Sequence, residues 1–159
     1  MNIDKLRTEL SQINDFDFVG GVAPEAIASA EAELGVPFPP DYQAFLREFG
    51  SGYVSSESIA GLGGAKHLDV VWLTKELRSR SSNQFPSDFL PLRNDGFGNY
   101  DCIDISSRPV SGECRIVEFA RDGIRANIVS WQIISSIGFA ISFTSFANST
   151  LKKTDTESL

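Results

Sequence analysis

The sequence contains a single histidine, His67, which is by type its best candidate for acid–base catalysis. Imidazole titrates near neutral pH without perturbation, and a nucleophile needs such a base beside it. His67 lies in the glycine-rich segment GLGGAKH, which has no nucleophile motif nearby. A phosphate-binding loop would need glycine directly before its lysine and serine or threonine directly after it, where this segment has Ala65 and His67. We therefore interpret the segment as a turn and predict no catalytic residue.

Candidate metal ligands are also few. The two cysteines, Cys102 and Cys114, and the single histidine fall short of the four ligands of a structural zinc site. The segment DGFGNYD has oxygen ligands but lacks the positions and the closing glutamate of a calcium loop. We predict buried thiols, a turn built on the glycines of DGFGN, and neither a metal nor a cofactor.

Acidic side chains recur in the strand and turn region between residues 95 and 122, with Phe97 and Tyr100 among them. A solvated sheet face would carry the same residue types. In a protein interface, however, aromatic side chains supply contact area, and carboxylates supply steering and register. The functional interpretation is a surface for a basic protein partner, formed by Asp95, Phe97, Tyr100, Asp101, Asp104, Glu113, Glu118 and Asp122.

The overall charge agrees with a basic partner. The 159 residues include 14 basic and 21 acidic side chains, for a net charge of −7, which argues against a nucleic-acid or membrane-surface binder. There is no apolar run of membrane-spanning length, and the first fifteen residues lack the apolar core of a signal peptide, so we expect a cytoplasmic protein with no membrane partner. The length predicts one domain over residues 1–153 and a polar tail over residues 154–159.

The N-terminal third is predicted to be helical. One apolar stripe at helical spacing comprises Ile3, Leu6, Leu10 and Ile13. A second helix is predicted between Pro24, which suits a first turn, and Gly35, which suits the position after the last turn. A third runs from Pro40 to Gly50, with an inner face of Tyr42, Phe45, Leu46 and Phe49.

The rest of the chain is predicted to be mainly sheet. A short strand is expected over 57–60 and a helix within 68–80, where Val71, Leu73 and Leu77 share a face. The segments FLPLRN, NYDCIDIS, CRIVEFA and NIVSWQII follow as strands, and Tyr100, Cys102 and Asp104 should lie on one face with Asp101, Ile103 and Ile105 on the other. Helical spacing of Phe139, Phe143 and Phe146 predicts a last helix. We predict an α+β single domain with a mainly antiparallel sheet, N-terminal helices and a C-terminal helix packed on it.

Several motifs occur in the order found in the SUKH superfamily of Smi/Knr-type domains. Ile27, Glu31, Leu34 and Gly35, followed by Pro39, Tyr42, Phe45, Leu46 and Gly50, resemble its opening signature, I-x-x-x-E-x-x-L-G…L-P-x-x-Y-x-x-F-L…G. The Asp95–Gly98 turn resembles its central hairpin, the strand at Glu113–Phe119 resembles its next element, and Ser142–Phe146 resembles its closing helix. The chain departs from the family pattern at Phe38, Arg115 and Phe119, and residues 51–90 match it least.

The resemblance implies a non-enzymatic immunity protein that binds a cognate toxin and protects the producing cell. Toxins in such systems are often nucleases, whose basic clefts an acidic inhibitor could occlude by charge complementarity. Two alternatives remain open from the sequence. One is a regulatory scaffold of the same fold, and the other is a small hydrolase that uses His67 or a carboxylate pair.

Overall fold

Seven strands form one antiparallel sheet in which neighbours along the chain are also neighbours in space. The computed structural model describes residues 7, 8, 10–13, 15–80, 85–106, 114–120 and 123–131. The strands are β1 (Phe16–Phe18), β2 (Gly52–Val54), β3 (Glu57–Ile59), β4 (Phe89–Asn94), β5 (Tyr100–Asp104), β6 (Cys114–Ala120) and β7 (Gly123–Trp131). Together with the helices, this sheet confirms the predicted α+β class.

Three α-helices lie in the connections between strands: α1 (Pro24–Leu34), α2 (Pro40–Glu48) and α3 (Val70–Arg80). A proline starts both α1 and α2, where its missing N–H leaves no helical hydrogen bond unmade. Gly35 ends α1 in the left-handed conformation, with φ of 69°, as its sequence position predicted. A short 3-10 helix, Lys66–Leu68, precedes α3.

Apolar side chains from both faces of the sheet are buried, in two clusters. The larger packs α1, α2 and the start of α3 against one sheet face and includes Ile27, Tyr42, Phe45, Leu90 and Ile103. The smaller covers part of the opposite face and comprises Phe85, Phe89, Cys102, Val117 and Phe119, with Leu77 and Tyr100 packed against it. We call these the helix face and the opposite face of the sheet.

The two ends of the sheet differ in their connections. The long connections between β1 and β2 and between β3 and β4 carry the helices and lie at one end. Tight turns join β2 to β3 and β4 to β5 at the other end, where Ala120 and Gly123 also pair. We call this second end the turn end. The β2–β3 and β4–β5 turns at this end are exposed at residues 55–56 and 95–98.

Two details differ from the sequence expectations. Strands β1 and β2, of three residues each, were not predicted. Helix α3 buries Val70, Val71 and Thr74, whereas Leu73 and Leu77 are only half-buried. The start of the first predicted helix (Ile3 and Leu6), the helix at 139–146 and the tail at 154–159 lie outside the described residues. Among the residues that the structure describes, no helix is long and apolar enough to cross a bilayer.

Candidate protein-binding surface

The turn between β4 and β5 is held in one conformation by its own polar side chains. The backbone N–H groups of Phe97 and Asn99 donate to Asp95 Oδ1 at 2.7 and 3.0 Å, and the Asn99 side-chain amide donates to Asp95 Oδ2 at 2.6 Å. Gly96 N–H donates to Asn94 Oδ1 at 2.7 Å. The carboxylate of Asp95, which was expected to face a partner, therefore organises the turn.

The organised turn exposes one large apolar side chain. Phe97 is 87% exposed, the highest value among the large hydrophobic residues described. An aromatic ring held on a rigid loop loses little conformational entropy when a partner covers it, which favours binding. Of the six predicted partner-binding residues that the structure describes, only Asp95 and Phe97 are exposed, and the Asp95 carboxylate is already used within the turn.

The pKa of the Asp95 carboxyl group should report on the turn. Its slight burial would raise the pKa, but the hydrogen bonds from Phe97 and Asn99 outweigh this and lower it from the usual 3.8. The carboxylate therefore stabilises the turn above that value, and the contribution is lost as the pH falls through the lower, folded-state pKa. We expect the amide signals of Phe97 and Asn99 to shift together in an NMR titration with a midpoint below 3.8. A midpoint at or above 3.8 would contradict this role.

Asp101 and Glu118 lie side by side on the helix face, close to the turn end. They are register partners in β5 and β6, and Asp101 is also the register partner of Arg93 in β4. Arg93 donates to Asp101 at 2.6 Å and to Glu57 in β3 at 3.1 Å. Burial would lower the pKa of the Arg93 guanidinium, but the two carboxylates outweigh it and raise the pKa. Asp101 is thus already paired within the protein.

The register places two other members of the predicted set on the opposite face. Tyr100 is half-buried there, and burial raises the pKa of its hydroxyl. Asp104 is only 5% exposed, and its Oδ1 accepts a hydrogen bond from Ser106 Oγ at 2.5 Å. Its Oδ2 lies 3.6 Å from Arg115 Nη1. The alternation predicted for β5 is therefore observed, but it divides the acidic residues between two faces. Glu113 and Asp122 lie outside the described residues.

His67 has a partner on the opposite face. Its Nε2 lies 2.5 Å from the hydroxyl oxygen of Tyr53 in β2, and its ring lines a cavity of about 100 Å³ with Ser58 and Tyr100. Binding pockets for small substrates are several times larger, about 300–1,000 Å³. Cys102 is fully buried, and burial raises the pKa of its thiol, which disfavours the reactive thiolate. No group of three or more potential metal ligands occurs among the described residues.

Sequence reasoning missed Glu57 and Arg93 as part of the charged surface. Both were visible as isolated charges, but Arg93 reaches Asp101 only because Leu92 forms a bulge in β4 that shifts the register between Pro91 and Arg93. The sequence is compatible with such a bulge, because two apolar residues in succession, Pro91 and Leu92, precede the arginine. That signal is too weak to fix the pairing in advance.

A family model described as SMI1-KNR4 cell-wall, SUKH_6, matches residues 24–130, more than half of the chain. The chain belongs to the SMI1-KNR4 family. This confirms the resemblance to the SUKH superfamily, and the matched range contains α1 to α3 and strands β2 to β6 in full.

A solved structure has the same fold as this SMI1-KNR4 domain. The crystal structure of a protein from Pseudomonas syringae pv. tomato superposes with a TM-score of 0.56 at 15% sequence identity. The alignment covers 81% of this chain and 89% of that chain. At that identity the likeness extends to the fold alone. A comparison with curated proteins found no match.

Proposed function

We propose that this SMI1-KNR4 domain is an immunity protein that binds a cognate toxin and neutralises it by occlusion, with no chemical step of its own. The observation that carries the proposal is the β4–β5 turn, whose backbone is hydrogen-bonded to Asp95 and which exposes 87% of Phe97 at the turn end. Membership of the SMI1-KNR4 family supports the immunity role. The net charge of −7 supports a basic partner, for which a nuclease cleft is the best-suited class.

Steering and anchoring would come from different residues. The summed negative charge attracts a basic toxin over about 8 Å at physiological ionic strength, which raises the association rate. Phe97 would then fill an apolar recess beside the basic cleft and slow dissociation. Asp101 and Glu118 would flank this contact on the helix face. Because Arg93 pairs with Asp101, we assign these two carboxylates to register and assign most of the binding energy to Phe97.

Truncation of Phe97 tests the anchor. An aromatic side chain at an interface centre contributes about 2 kcal/mol or more, so Phe97→Ala should weaken binding to the purified toxin about 30-fold or more. Isothermal titration calorimetry measures the change. Phe97 is almost fully exposed, so the melting temperature of the variant should stay close to that of the wild type.

Glu25→Ala is the matched control. Glu25 is exposed in the first turn of α1, outside the β4–β5 turn and the strands that flank it, and has no ion pair among those described. This variant should bind the toxin nearly as the wild type does. Equal affinity for the wild type and Phe97→Ala would show that the anchor lies elsewhere. No binding by the wild-type protein to the toxin encoded beside it would contradict the proposed function itself.

A further inference from the structure

The outer edge of β1 offers backbone groups that no described strand uses. Within the described sheet, β1 is an edge strand that pairs only with β2. Ser55 N–H donates to Asp15 C=O at 2.6 Å, and Val19 N–H donates to Ser51 C=O at 3.0 Å. Since these directions alternate along an antiparallel strand, the N–H and C=O groups of Phe16 and Phe18 point away from β2.

The side chains along this edge combine exposed apolar groups with carboxylates. Phe16, on the helix face, is 47% exposed. Phe18 lies on the same face as Phe16 and packs against Phe49, with ring centroids 5.2 Å apart. Asp15 and Asp17 are exposed and form no ion pair among those that the structure describes. The edge is therefore apolar on the helix face and acidic at Asp17 on the opposite face.

We propose that β1 binds an extended segment of a partner protein as an eighth strand, and that this segment carries a basic residue between two apolar residues. An added strand would make hydrogen bonds to Phe16 and Phe18 and would place its apolar side chains beside theirs. The residue opposite Asp17 would lie in a closely spaced pair, where lysine or arginine is stabilised and glutamate is repelled. This proposal goes beyond the toxin-binding role and does not depend on it.

A second copy of the chain fits this edge poorly. Antiparallel pairing of two β1 strands centred on Asp17 would set the two Asp17 carboxylates directly opposite each other. A shift of two residues in register, centred on Phe16, would set Asp15 opposite Asp17. Like charges in opposed positions destabilise a strand pair. Charged residues on edge strands also discourage strand pairing in general. The experiment distinguishes this simpler role of Asp15 and Asp17 from binding of a basic strand.

The experiment uses the full-length ¹⁵N-labelled protein and three synthetic peptides, followed by NMR chemical-shift titration. The peptides are T-V-K-V-K-V-T, its glutamate counterpart T-V-E-V-E-V-T, and the lysine peptide N-methylated at its valines, which would lie opposite Phe16 and Phe18. We expect the lysine peptide to shift the amide signals of Phe16–Val19 and Tyr53. The glutamate peptide should bind more weakly, by up to about fivefold, which is the effect of one cross-strand charge pair. N-methylation should abolish binding.

Two variants separate backbone pairing from side-chain contact. Phe16→Pro removes an outward N–H that β2 does not use, so it should abolish peptide binding and leave the fold intact. Phe16→Ala keeps that N–H and should therefore keep part of the binding. Asp17→Lys should reverse the preference between the two charged peptides. The proposal would be overturned if all three peptides bound equally, or if millimolar peptide left the amide signals of β1 unchanged. Asp15 and Asp17 would then serve only to discourage strand pairing. Concentration-dependent dimerisation through β1 would also overturn it.

Discussion

Gly50→Ala is expected to lower the free energy of unfolding by about 3 kcal/mol, because alanine is unfavourable at this position for two reasons. Gly50 has φ of 71°, in the left-handed region, where a residue with a side chain costs about 1 kcal/mol. A β-carbon there would also overlap the carbonyl oxygen of Gly20 and lie 2.9 Å from that of Leu62. Overpacking of this kind contributes about 1–3 kcal/mol more.

Gly35→Ala is the control that isolates the conformational part. Gly35 has a nearly identical φ of 69°, but a β-carbon there would meet no atom within 4 Å. Its replacement should cost about 1 kcal/mol. Urea denaturation of the two variants measures the difference. Equal losses would mean that the close approach of Gly50 to the segment before α1 does not exist in solution.

Arg93→Met is the second variant from which we expect a large effect, a loss of about 2 kcal/mol of stability. It leaves the half-buried carboxylates of Glu57 and Asp101 without the cation that lies between them. Removal of one partner from a buried ion pair is more destabilising than replacement of the whole group by apolar residues. The expected loss is smaller than the roughly 3–5 kcal/mol of a fully buried pair, because all three side chains retain contact with water.

Neutralising the two carboxylates should recover much of that loss. The triple variant Arg93→Met, Glu57→Gln and Asp101→Asn removes the uncompensated charges together, and we expect it to be more stable than Arg93→Met alone in denaturant titrations. A triple variant that is less stable than the single one would show that the lost hydrogen bonds, rather than unpaired charge, dominate. The same coupling makes Asp101 a poor position for testing toxin binding by charge reversal, since a lysine there would face Arg93.

The ends of helices α1 and α2 could be predicted from the sequence because nearby residues determine them. Pro24 and Gly35 fix the ends of α1 through backbone rules that act within a few residues. Strand β1 could not be read, since Phe16–Phe18 becomes a strand only by pairing with Gly52–Val54. Gly52 allows that pairing, because a β-carbon there would overlap the carbonyl oxygen of Asp17.

The candidate site was predictable in part for the same reason. The Asp95–Asn99 turn follows from local glycine and asparagine chemistry, so its position between two strands was visible in the sequence. The partners of Asp101 and Asp104 depend on register across β4, β5 and β6, including the bulge at Leu92, and register is a long-range property. Net charge alone did not distinguish a carboxylate paired with arginine from one available to a partner.

Inhibition of the purified toxin by increasing amounts of this protein tests the central claim most directly. A protein that acts by occlusion should abolish toxin activity at one equivalent, and the inhibition should be independent of incubation time once binding is complete. The His67→Ala variant should inhibit equally well, because occlusion needs no base. Inhibition at far less than one equivalent, growing with time and lost in His67→Ala, would show catalytic turnover and contradict the proposed function.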